Sequence, residues 1–425
     1  MCDSCTYLIA AKGVYDSELR QLRERTGVLV QGAQIVAVQH IDELIAANPN
    51  VRILNYKDYY LFPGLINTHV HLECNPNEDF SAGFLADTSS LRLARAMIAA
   101  QAMLQSGVTT VRDAGGSWGI LELLNPRMEK IAHLPRLQLA GPPITITGGH
   151  MHYFGGEADT LNELLRAVRL RQKLGCEAIK IVVTGGQMTP RSGADRVSYS
   201  SEQIRVISDE AHHLGLRTFA HCLTAQGFVN AVQGRVQSIE HCAFFVFNKQ
   251  NGLLERVYDA STAEKFSGRK IFFSKTMASL WRNLDRARSN GNEITEKEKF
   301  LLRQEKNMFD NFLNLKKLGF LPVLATDAGV PKTYFDETWL ELEIMVKYCG
   351  LSPEEAIEIG TINSASCLGI EKNVGMIKSG YSADIIGLEE NPLKNIDAYR
   401  NVQLVISRGK VVKESCCSGR RIRGD

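Results

Sequence analysis

Short apolar, β-branched runs alternate with longer segments of helical period from about residue 60 to about residue 365. The predicted strands are residues 60–67, 109–113, 137–140 (with 144–147 as an extension), 178–183, 217–221, 238–241, 270–274 and 322–326. Helices are predicted at residues 90–105, 160–174 and 201–214, and in a long charged stretch that ends near residue 318. This alternation predicts an α/β fold, and eight such units favour a closed (β/α)8 TIM barrel. An open doubly wound sheet is the competing architecture, but no GxGxxG follows the first strand.

The two ends of the chain have a different pattern. Residues 6–60 are predicted as short strands with one helix at 41–47, and residues 380–415 as strands separated by turns. We therefore expect a small β-sandwich domain built from both termini. In this organisation residues 1–60 and 371–415 form the small domain, residues 61–370 the barrel and residues 416–425 a tail. The charged segment 282–304 is predicted to be an exposed helical insertion.

Composition excludes several classes of partner. The chain has 425 residues, 44% of them hydrophobic, and a formal net charge of +2, so no bulk charge favours nucleic acid. No apolar run is long enough to cross a membrane, and no secretory leader is evident, so we expect a cytoplasmic protein with a small-molecule substrate. The ten cysteines are predicted to be free thiols, with Cys2, Cys5, Cys416 and Cys417 as tail residues. The oligomeric state stays open, a homo-oligomer included.

Candidate metal ligands follow the predicted strands. His69 and His71 form an HxH after the first strand, and residues i and i+2 of a strand point to the same face. His221, His241 and Asp327 each end a further strand, at the barrel end where such enzymes place their chemistry. Imidazoles and carboxylates that meet there can bind divalent metal ions.

Lys180 is the most informative of these candidates because it lies in the middle of an apolar strand. A buried lysine is costly unless its charge is paired or removed, and burial lowers its pKa. A neutral amine can react with carbon dioxide to give a carbamate, whose oxygens could bridge two metals. An outward-facing lysine at a strand edge is the alternative interpretation.

These residues resemble the binuclear branch of the amidohydrolase superfamily, and within it the imidazolonepropionase-like and prolidase-like dipeptidase group. The resemblance covers nearly the whole chain. It includes the entry segment 62–71, the second strand at 106–113, and the return to the small domain at 363–365 and 375–384. It implies two divalent metal ions, with zinc expected, and carbon dioxide held as a carbamate on Lys180. It also implies the ligand set His69, His71, Lys180, His221, His241 and Asp327.

The resemblance also implies roles for these residues. His69, His71 and Asp327 would hold one metal, His221 and His241 the other, and carboxylated Lys180 and a hydroxide would bridge both. Asp327 would be the catalytic residue, taking the proton of the water and passing it to the leaving amine. The expected reaction is hydrolysis of an amide or peptide C–N bond in a dipeptide, an N-acyl amino acid or a cyclic amide.

Substrate contacts are predicted less directly. Gly148-Gly149-His150 resembles a GGH of this group, which gives His150 a substrate-binding role, and His152 and Tyr153 could line the same mouth. Dipeptidase-like members often carry an aromatic residue shortly after the fifth-strand histidine, but here Cys222, Leu223 and Thr224 follow. Arg191 is the predicted replacement, because a guanidinium grips carboxylates bidentately.

Three alternatives remain open at this stage. Lactone or ester cleavage would use the same metal-activated water. A mononuclear aminohydrolase, or deaminase, would have a glutamate at the position of Thr224 and no strand-four lysine. A non-enzymatic relative would have lost ligands. The long stretch between His241 and Asp327 is expected to shape or cover the site, for a ligand that the sequence does not identify.

Overall fold

The structure, a computed structural model, describes residues 6–258, 260–289 and 295–415. Its strands are β1 Thr6–Asp16, β2 Gln21–Glu24, β3 Thr26–Gln31, β4 Gln34–His40, β5 Arg52–Pro63, β6 Leu65–Val70, β7 Val108–Asp113, β8 Arg136–Leu139, β9 Ala178–Val182, β10 Arg217–Cys222, β11 Ser238–His241, β12 Phe245–Asn248, β13 Leu253–Arg256, β14 Phe272–Phe273, β15 Leu321–Pro322, β16 Ile385–Leu388, β17 Leu404–Ser407 and β18 Lys410–Glu414.

The α-helices are α1 Ile41–Ala47, α2 Phe80–Ala86, α3 Ser89–Gln105, α4 Leu161–Lys173, α5 Ser201–His213, α6 Ala225–Gln233, α7 Ala260–Glu264, α8 Ala278–Ser289, α9 Glu296–Lys317, α10 Trp339–Lys347, α11 Pro353–Glu358 and α12 Ser364–Leu368. Short 3-10 helices are Trp118–Leu124, Pro126–Lys130, His152–Phe154 and Ile396–Asn401, and Ile359–Asn363 is a π-helical turn. Thr160 and Ser200 each form a capping box that starts α4 and α5.

Eight parallel strands close into a barrel. β6, β7 and β8 pair in one sheet, and β9, β10, β11, β14 and β15 pair in another. Backbone hydrogen bonds join the two sheets at both seams. Ile144 N donates to Lys180 O over 2.9 Å at one seam, and Thr68 N donates to Leu324 O over 2.9 Å at the other. The predicted TIM barrel is therefore confirmed, and Ile144, in the predicted extension of the third strand, is the residue that closes the first seam.

The strands of the two termini form a separate β domain, also as predicted. β16 pairs antiparallel with β5, β5 pairs parallel with β1, and the sheet order is β18-β17-β16-β5-β1-β3-β4 with β2 on β1. Hydrogen bonding runs through all eight strands without interruption. A cluster of buried side chains, among them Ile9, Tyr59, Ile385 and Leu404, forms a core distinct from that of the barrel.

The predicted strand at residues 60–67 is wrong, because the structure divides it between the two domains. Its first part ends β5 of the terminal sheet, and its second part begins β6 of the barrel. Gly64 lies at the junction, where its N–H donates to Asp384 O over 3.0 Å. A side chain at this position would overlap Thr109 of β7, so the apolar pattern runs unbroken through a joint that only glycine fits.

The predicted exposed insertion is helical, but one face of it is buried. Helices α8 and α9 contain most of this segment. Trp281 and Leu284 of α8 belong to the barrel core, and Ala287 of the same helix is also buried. No helix among the described residues is both long and apolar enough to cross a membrane. The six cysteines within the described ranges are buried and free, as predicted, whereas Cys2, Cys5, Cys416 and Cys417 lie outside these ranges.

Replacing Gly64 by alanine should destabilise the protein, because the new Cβ would overlap the buried Thr109 side chain at the joint. Overpacking of this kind costs about 1–3 kcal/mol, which thermal unfolding would report as a lower Tm. Gly119→Ala is the matched control, since its Cβ would meet only Ser117 Oγ at 3.3 Å. Equal Tm values for the two variants would contradict this account of the joint.

Candidate active site

The six predicted metal ligands converge at the carboxyl end of the barrel. Each is carried by a strand or by the residues just after one: His69 and His71 by β6, Lys180 by β9, His221 by β10, His241 by β11 and Asp327 by the extended segment after β15. The carboxylate of Asp327 lies between the first two imidazoles. Its Oδ1 is 3.3 Å from His69 Nε2 and 3.4 Å from His71 Nε2. Ligand atoms of His69, His241 and Asp327 lie within 4.8 Å of one another.

The fourth imidazole extends this cluster to the other side. The ring centroids of His221 and His241 are 4.7 Å apart, and those of His69 and His241 are 5.0 Å apart. Burial lowers the pKa of both His221 and His241 well below the usual value. Their rings are therefore neutral at physiological pH, which is the state that binds metal.

Backbone strain accompanies the two strand ends that carry His241 and Asp327. Both residues adopt positive φ, 68° and 63° respectively, although neither is glycine. Such conformations cost of order 1–3 kcal/mol and persist where the surrounding structure requires them. Here they turn the chain after the barrel strand, and both side chains line the cavity.

The rings of His69 and His71 are oriented from behind. His69 Nδ1 lies 2.9 Å from Glu240 Oε2, and His71 Nδ1 lies 2.8 Å from the carbonyl oxygen of Gly115. An acceptor at Nδ1 holds the proton there, so the Nε2 lone pair of each ring faces the cluster. These Nε2 atoms are the ones that approach Asp327.

The rings of His221 and His241 are held in the same manner. His221 Nε2 lies 3.1 Å from the carbonyl oxygen of Gly185, which leaves Nδ1 as its free lone pair. His241 Nδ1 lies 2.9 Å from Thr276 Oγ1, which leaves Nε2. Four imidazoles with one engaged and one free nitrogen, together with a carboxylate, fit the ligand chemistry of divalent metal ions.

Lys180 faces the interior of the barrel, as its position in the apolar strand predicts. Its side chain is buried, and its Nζ lies 3.4 Å from His69 Nε2 and 5.0 Å from the centroid of the Phe219 ring. Burial lowers the pKa of Lys180 to about 8, against the opposing effect of Glu240. A substantial fraction of the amine is therefore neutral near physiological pH. The outward-facing alternative is wrong.

Glu240 and Arg112 belong to the site but were missed by sequence reasoning. Glu240 accepts hydrogen bonds from Arg112 Nη2 (3.1 Å), Ser238 Oγ (2.6 Å) and Ser274 Oγ (2.5 Å), besides its contact with His69. Burial alone would raise the pKa of Glu240, but the hydrogen bond with His69 and the charge of Arg112 lower it, so the carboxylate stays ionised. Both residues are charged positions within apolar strands, the signal that singled out Lys180.

Among the predicted substrate contacts, His150 lies on the wall of the cavity. Its ring centroid is 4.6 Å from that of His221, and its Nδ1 is 2.9 Å from Thr189 Oγ1. Burial lowers the pKa of His150 to about 3, so the ring is a neutral hydrogen-bonding group. A cavity of about 770 Å³, open mouth included, connects it with the six ligands.

The other predicted contacts lie further away from the cavity. Tyr153 packs against Phe80 and Phe84 at centroid distances of 6.4 and 5.8 Å, and it does not line the cavity wall, whereas Phe80 does. Arg191 is exposed on its loop and likewise does not reach the wall. His152 contacts Tyr153 and lies within 4.0 Å of Glu157, outside the cavity lining.

The stretch between His241 and Asp327 forms one side of the cavity, as expected. Residues from it that line the wall are Ala243, Phe245, Arg256, Lys275, Thr276, Ser279, Leu280 and Met308. The hairpin β12–β13 and helices α8 and α9 supply most of them. The wall therefore combines ligands carried on barrel strands with a lining drawn from this long insertion.

A closed (β/α)8 barrel with these donors at its carboxyl end defines a TIM-barrel hydrolase. A family model described as "Amidohydrolase family" matches residues 60–412. The chain therefore belongs to the amidohydrolase family, whose enzymes act on C–N bonds, and the predicted resemblance is confirmed.

Similar proteins within this family are known. Ochratoxinase from Aspergillus niger is 28% identical over 382 residues, which cover 81% of this chain and 73% of that protein. Imidazolonepropionase from Kosmotoga olearia is 23% identical over 395 residues, covering 86% and 84%. The crystal structure of a Xaa-Pro dipeptidase with bound methionine in the active site is 25% identical, with a TM-score of 0.80 and coverage of 96% and 100%.

Glu240→Gln should weaken metal binding, because the amide cannot hold the His69 proton and neutralise Arg112 as the carboxylate does. Loss of such an outer partner typically costs 10–100-fold in metal affinity, measurable for zinc by competition with a chelator. The milder variant Ser274→Ala, which removes one hydroxyl from Glu240, should lose less.

Glu341→Gln is the matched control for this substitution. Glu341 is also a buried carboxylate, but it accepts from the backbone N–H groups of Met277 and Ala278 and contacts none of the ligands. An equal loss of zinc affinity in the two variants, both shown to be folded by circular dichroism, would contradict the role given to Glu240.

Proposed function

We propose that this protein hydrolyses an amide or peptide bond with two divalent metal ions, zinc being the expected metal. The observation that carries the proposal is the convergence of four imidazoles, Asp327 and Lys180 on one cavity, each imidazole with a free nitrogen turned inward. The proposed substrate is a dipeptide, an N-acyl amino acid or a cyclic amide.

The ligands divide as the family resemblance implies. His69, His71 and Asp327 would hold one ion, and His221 and His241 the other. Two divalent cations bound there would lower the pKa of a water molecule and polarise the carbonyl of the substrate. The contacts of Asp327 with both His69 and His71 support the first group, and the adjacency of the His221 and His241 rings supports the second.

Lys180 would complete the site as a carbamate. Its neutral amine attacks carbon dioxide, a nitrogen–carbon bond forms, one proton leaves, and an anionic group with two oxygens results. The pKa of about 8 and the 3.4 Å distance from Nζ to His69 Nε2 support this assignment. An ammonium at this position would repel the cations that the neighbouring rings are oriented to bind.

Asp327 would move the proton. Burial would raise its pKa, but the nearby rings of His69 and His71 hold the pKa well below the usual value. The carboxylate is therefore ionised and can accept the proton of the attacking water. It can then deliver that proton to the leaving nitrogen as the C–N bond breaks, while the neutral ring of His150 donates or accepts a hydrogen bond to the substrate.

The relatives support hydrolysis of a C–N bond, but they do not identify the acyl and amine groups that this bond joins. The names Xaa-Pro dipeptidase and prolidase point to peptide substrates. The names ochratoxinase and molinate hydrolase show that similar folds serve other substrates. A screen of the zinc-loaded protein against dipeptides, N-acyl amino acids, lactams and lactones tests the proposal, and turnover of lactones alone would contradict it.

Asp327→Asn should lower kcat by about 10²–10⁴-fold, because the amide cannot take the proton of the water. Steady-state kinetics on the best substrate of the screen would measure the loss, and Tm should stay close to that of the wild type. Asp336→Asn, an exposed aspartate of the same loop, is the control and should keep wild-type turnover. A kcat within threefold of wild type for Asp327→Asn would contradict the assigned role.

Metal loading should depend on bicarbonate and rise with pH. The pKa of Lys180 is about 8, so its ammonium form dominates at pH 6 and its reactive amine form dominates at pH 9. Reconstitution of the chelator-treated protein with zinc should therefore be slow at pH 6 without bicarbonate and should accelerate at pH 9 with it. Mass spectrometry of the metal content should reach two zinc ions per chain.

The deaminase alternative gives the opposite result in this experiment. It requires one metal per chain and an unmodified lysine, and its loading would not respond to bicarbonate. A ¹³C NMR carbamate signal after incubation with labelled bicarbonate, absent in Lys180→Ala, separates the two. Rescue of Lys180→Ala by a short carboxylic acid would further favour the anionic bridge.

A further inference from the structure

Two cationic side chains line the cavity beyond the six ligands and have no assigned role. Arg256 is the last residue of β13, and Lys275 follows β14. Both line the cavity that His241 and Asp327 also line. Within residues 6–258, 260–289 and 295–415, neither forms a salt bridge with a carboxylate.

The position of the Arg256 side chain is fixed by an aromatic ring and by hydrogen bonds to its backbone. The guanidinium lies over the ring of Phe245, with its Cζ 4.8 Å from the ring centroid. Its backbone is fixed by α9, because Arg256 N donates to Gln304 Oε1 (2.6 Å) and Asn307 Nδ2 donates to Arg256 O (2.9 Å). Burial lowers the pKa of Arg256 to about 10, which still leaves it charged at neutral pH.

Lys275 is 5% exposed and makes one hydrogen bond, from its Nζ to the carbonyl oxygen of Cys242 over 2.6 Å. Burial and the nearby positive charge of Arg256 lower the pKa of Lys275 to about 7. An anion that enters with the ligand would pair with the buried guanidinium of Arg256 and would favour the charged form of Lys275. The planar guanidinium of Arg256 matches the geometry of a carboxylate, and the amine of Lys275 lines the same cavity.

We propose that Arg256 and Lys275 bind a free carboxylate of the substrate, and so restrict the enzyme to carboxylate-bearing amides such as dipeptides and N-acyl amino acids. This inference rests on the proposed amide hydrolysis. The sequence predicted that Arg191 would contact the substrate carboxylate. Arg256 of the insertion takes this role instead, because it lines the cavity and Arg191 does not. Phe245 forms the base on which the guanidinium rests.

The test compares each carboxylate substrate with its carboxamide, which has nearly the same shape and no charge. X-Pro dipeptides and N-acetyl amino acids are used, each as the free acid and as the C-terminal amide. Wild-type kcat/KM should favour the acids by at least about 100-fold. This is the scale of the loss when a substrate lacks the charged group that a buried charge in the enzyme binds. In Arg256→Met this preference should fall below about tenfold, mainly through KM for the acids.

Lys275→Met should reduce the preference in the same direction. Arg269→Met is the matched control, because Arg269 also lies over a phenylalanine ring, that of Phe266 at 5.3 Å, but is exposed and away from the cavity. It should keep the wild-type preference. An equal loss of activity on acids and carboxamides in Arg256→Met would mean that the guanidinium supports only the packing over Phe245, and would overturn the proposal.

A binding measurement separates this inference from the proposed function. Isothermal titration of the zinc-loaded protein compares N-methylphosphonate-L-proline with its carboxamide, neither of which needs to be hydrolysed. Wild type should bind the acid at least tenfold more tightly, and Arg256→Met should bind both alike. Absence of amide turnover with this binding difference intact would overturn the hydrolase proposal alone, whereas equal binding by wild type would overturn the carboxylate site.

Discussion

The site depends on charges that are buried inside the barrel and must satisfy one another. Glu240 is at the centre of this network, because one carboxylate accepts hydrogen bonds from His69, Arg112 and two serine hydroxyls. Removing any charged member would leave another charge without a partner in a region that water does not reach. Arg112 also donates to Thr68 O over 2.7 Å, directly beside His69, so the network fixes the strand as well as the ring.

The barrel and the insertion contribute different parts of the site. The barrel carries the candidate metal ligands, and the insertion lines the cavity. The ligands are carried on strand ends whose positions follow from hydrogen bonding around a closed sheet, which leaves little freedom to move them. Another part of the cavity lining comes from hairpin β12–β13 and from α8 and α9, which are attached to the barrel through side chains such as Trp281 and Leu284. Chemistry can therefore stay constant while the lining of the pocket, and with it the preferred substrate, changes.

Much of the fold and of the cluster of six candidate ligands was predictable, because the carboxyl ends of the strands in a TIM barrel meet at one place whatever the loops do. Lys180 was found from the cost of a charge in an apolar strand, and the same rule applied to Glu240 and Arg112 would have found them too. The strand predicted at 60–67 failed because hydrophobicity continues across Gly64, and only the overlap with Thr109 marks the joint. Arg256 could not be distinguished from Arg191, since contact with the cavity depends on how a hairpin folds back.

The charge of Lys180 would link metal binding in the proposed site to the rest of the network. As an ammonium it balances Glu240 and Asp327, and the cluster is satisfied without cations. As a carbamate it would change the local charge by two units, so that Glu240 would keep Arg112 but Asp327 and the carbamate would lack positive partners. Neutral rings at His221 and His241 cannot supply them, because burial keeps the pKa of both far below neutrality. In the proposed site, divalent cations would restore positive charge beside Asp327, so modification of the lysine and metal binding would each favour the other.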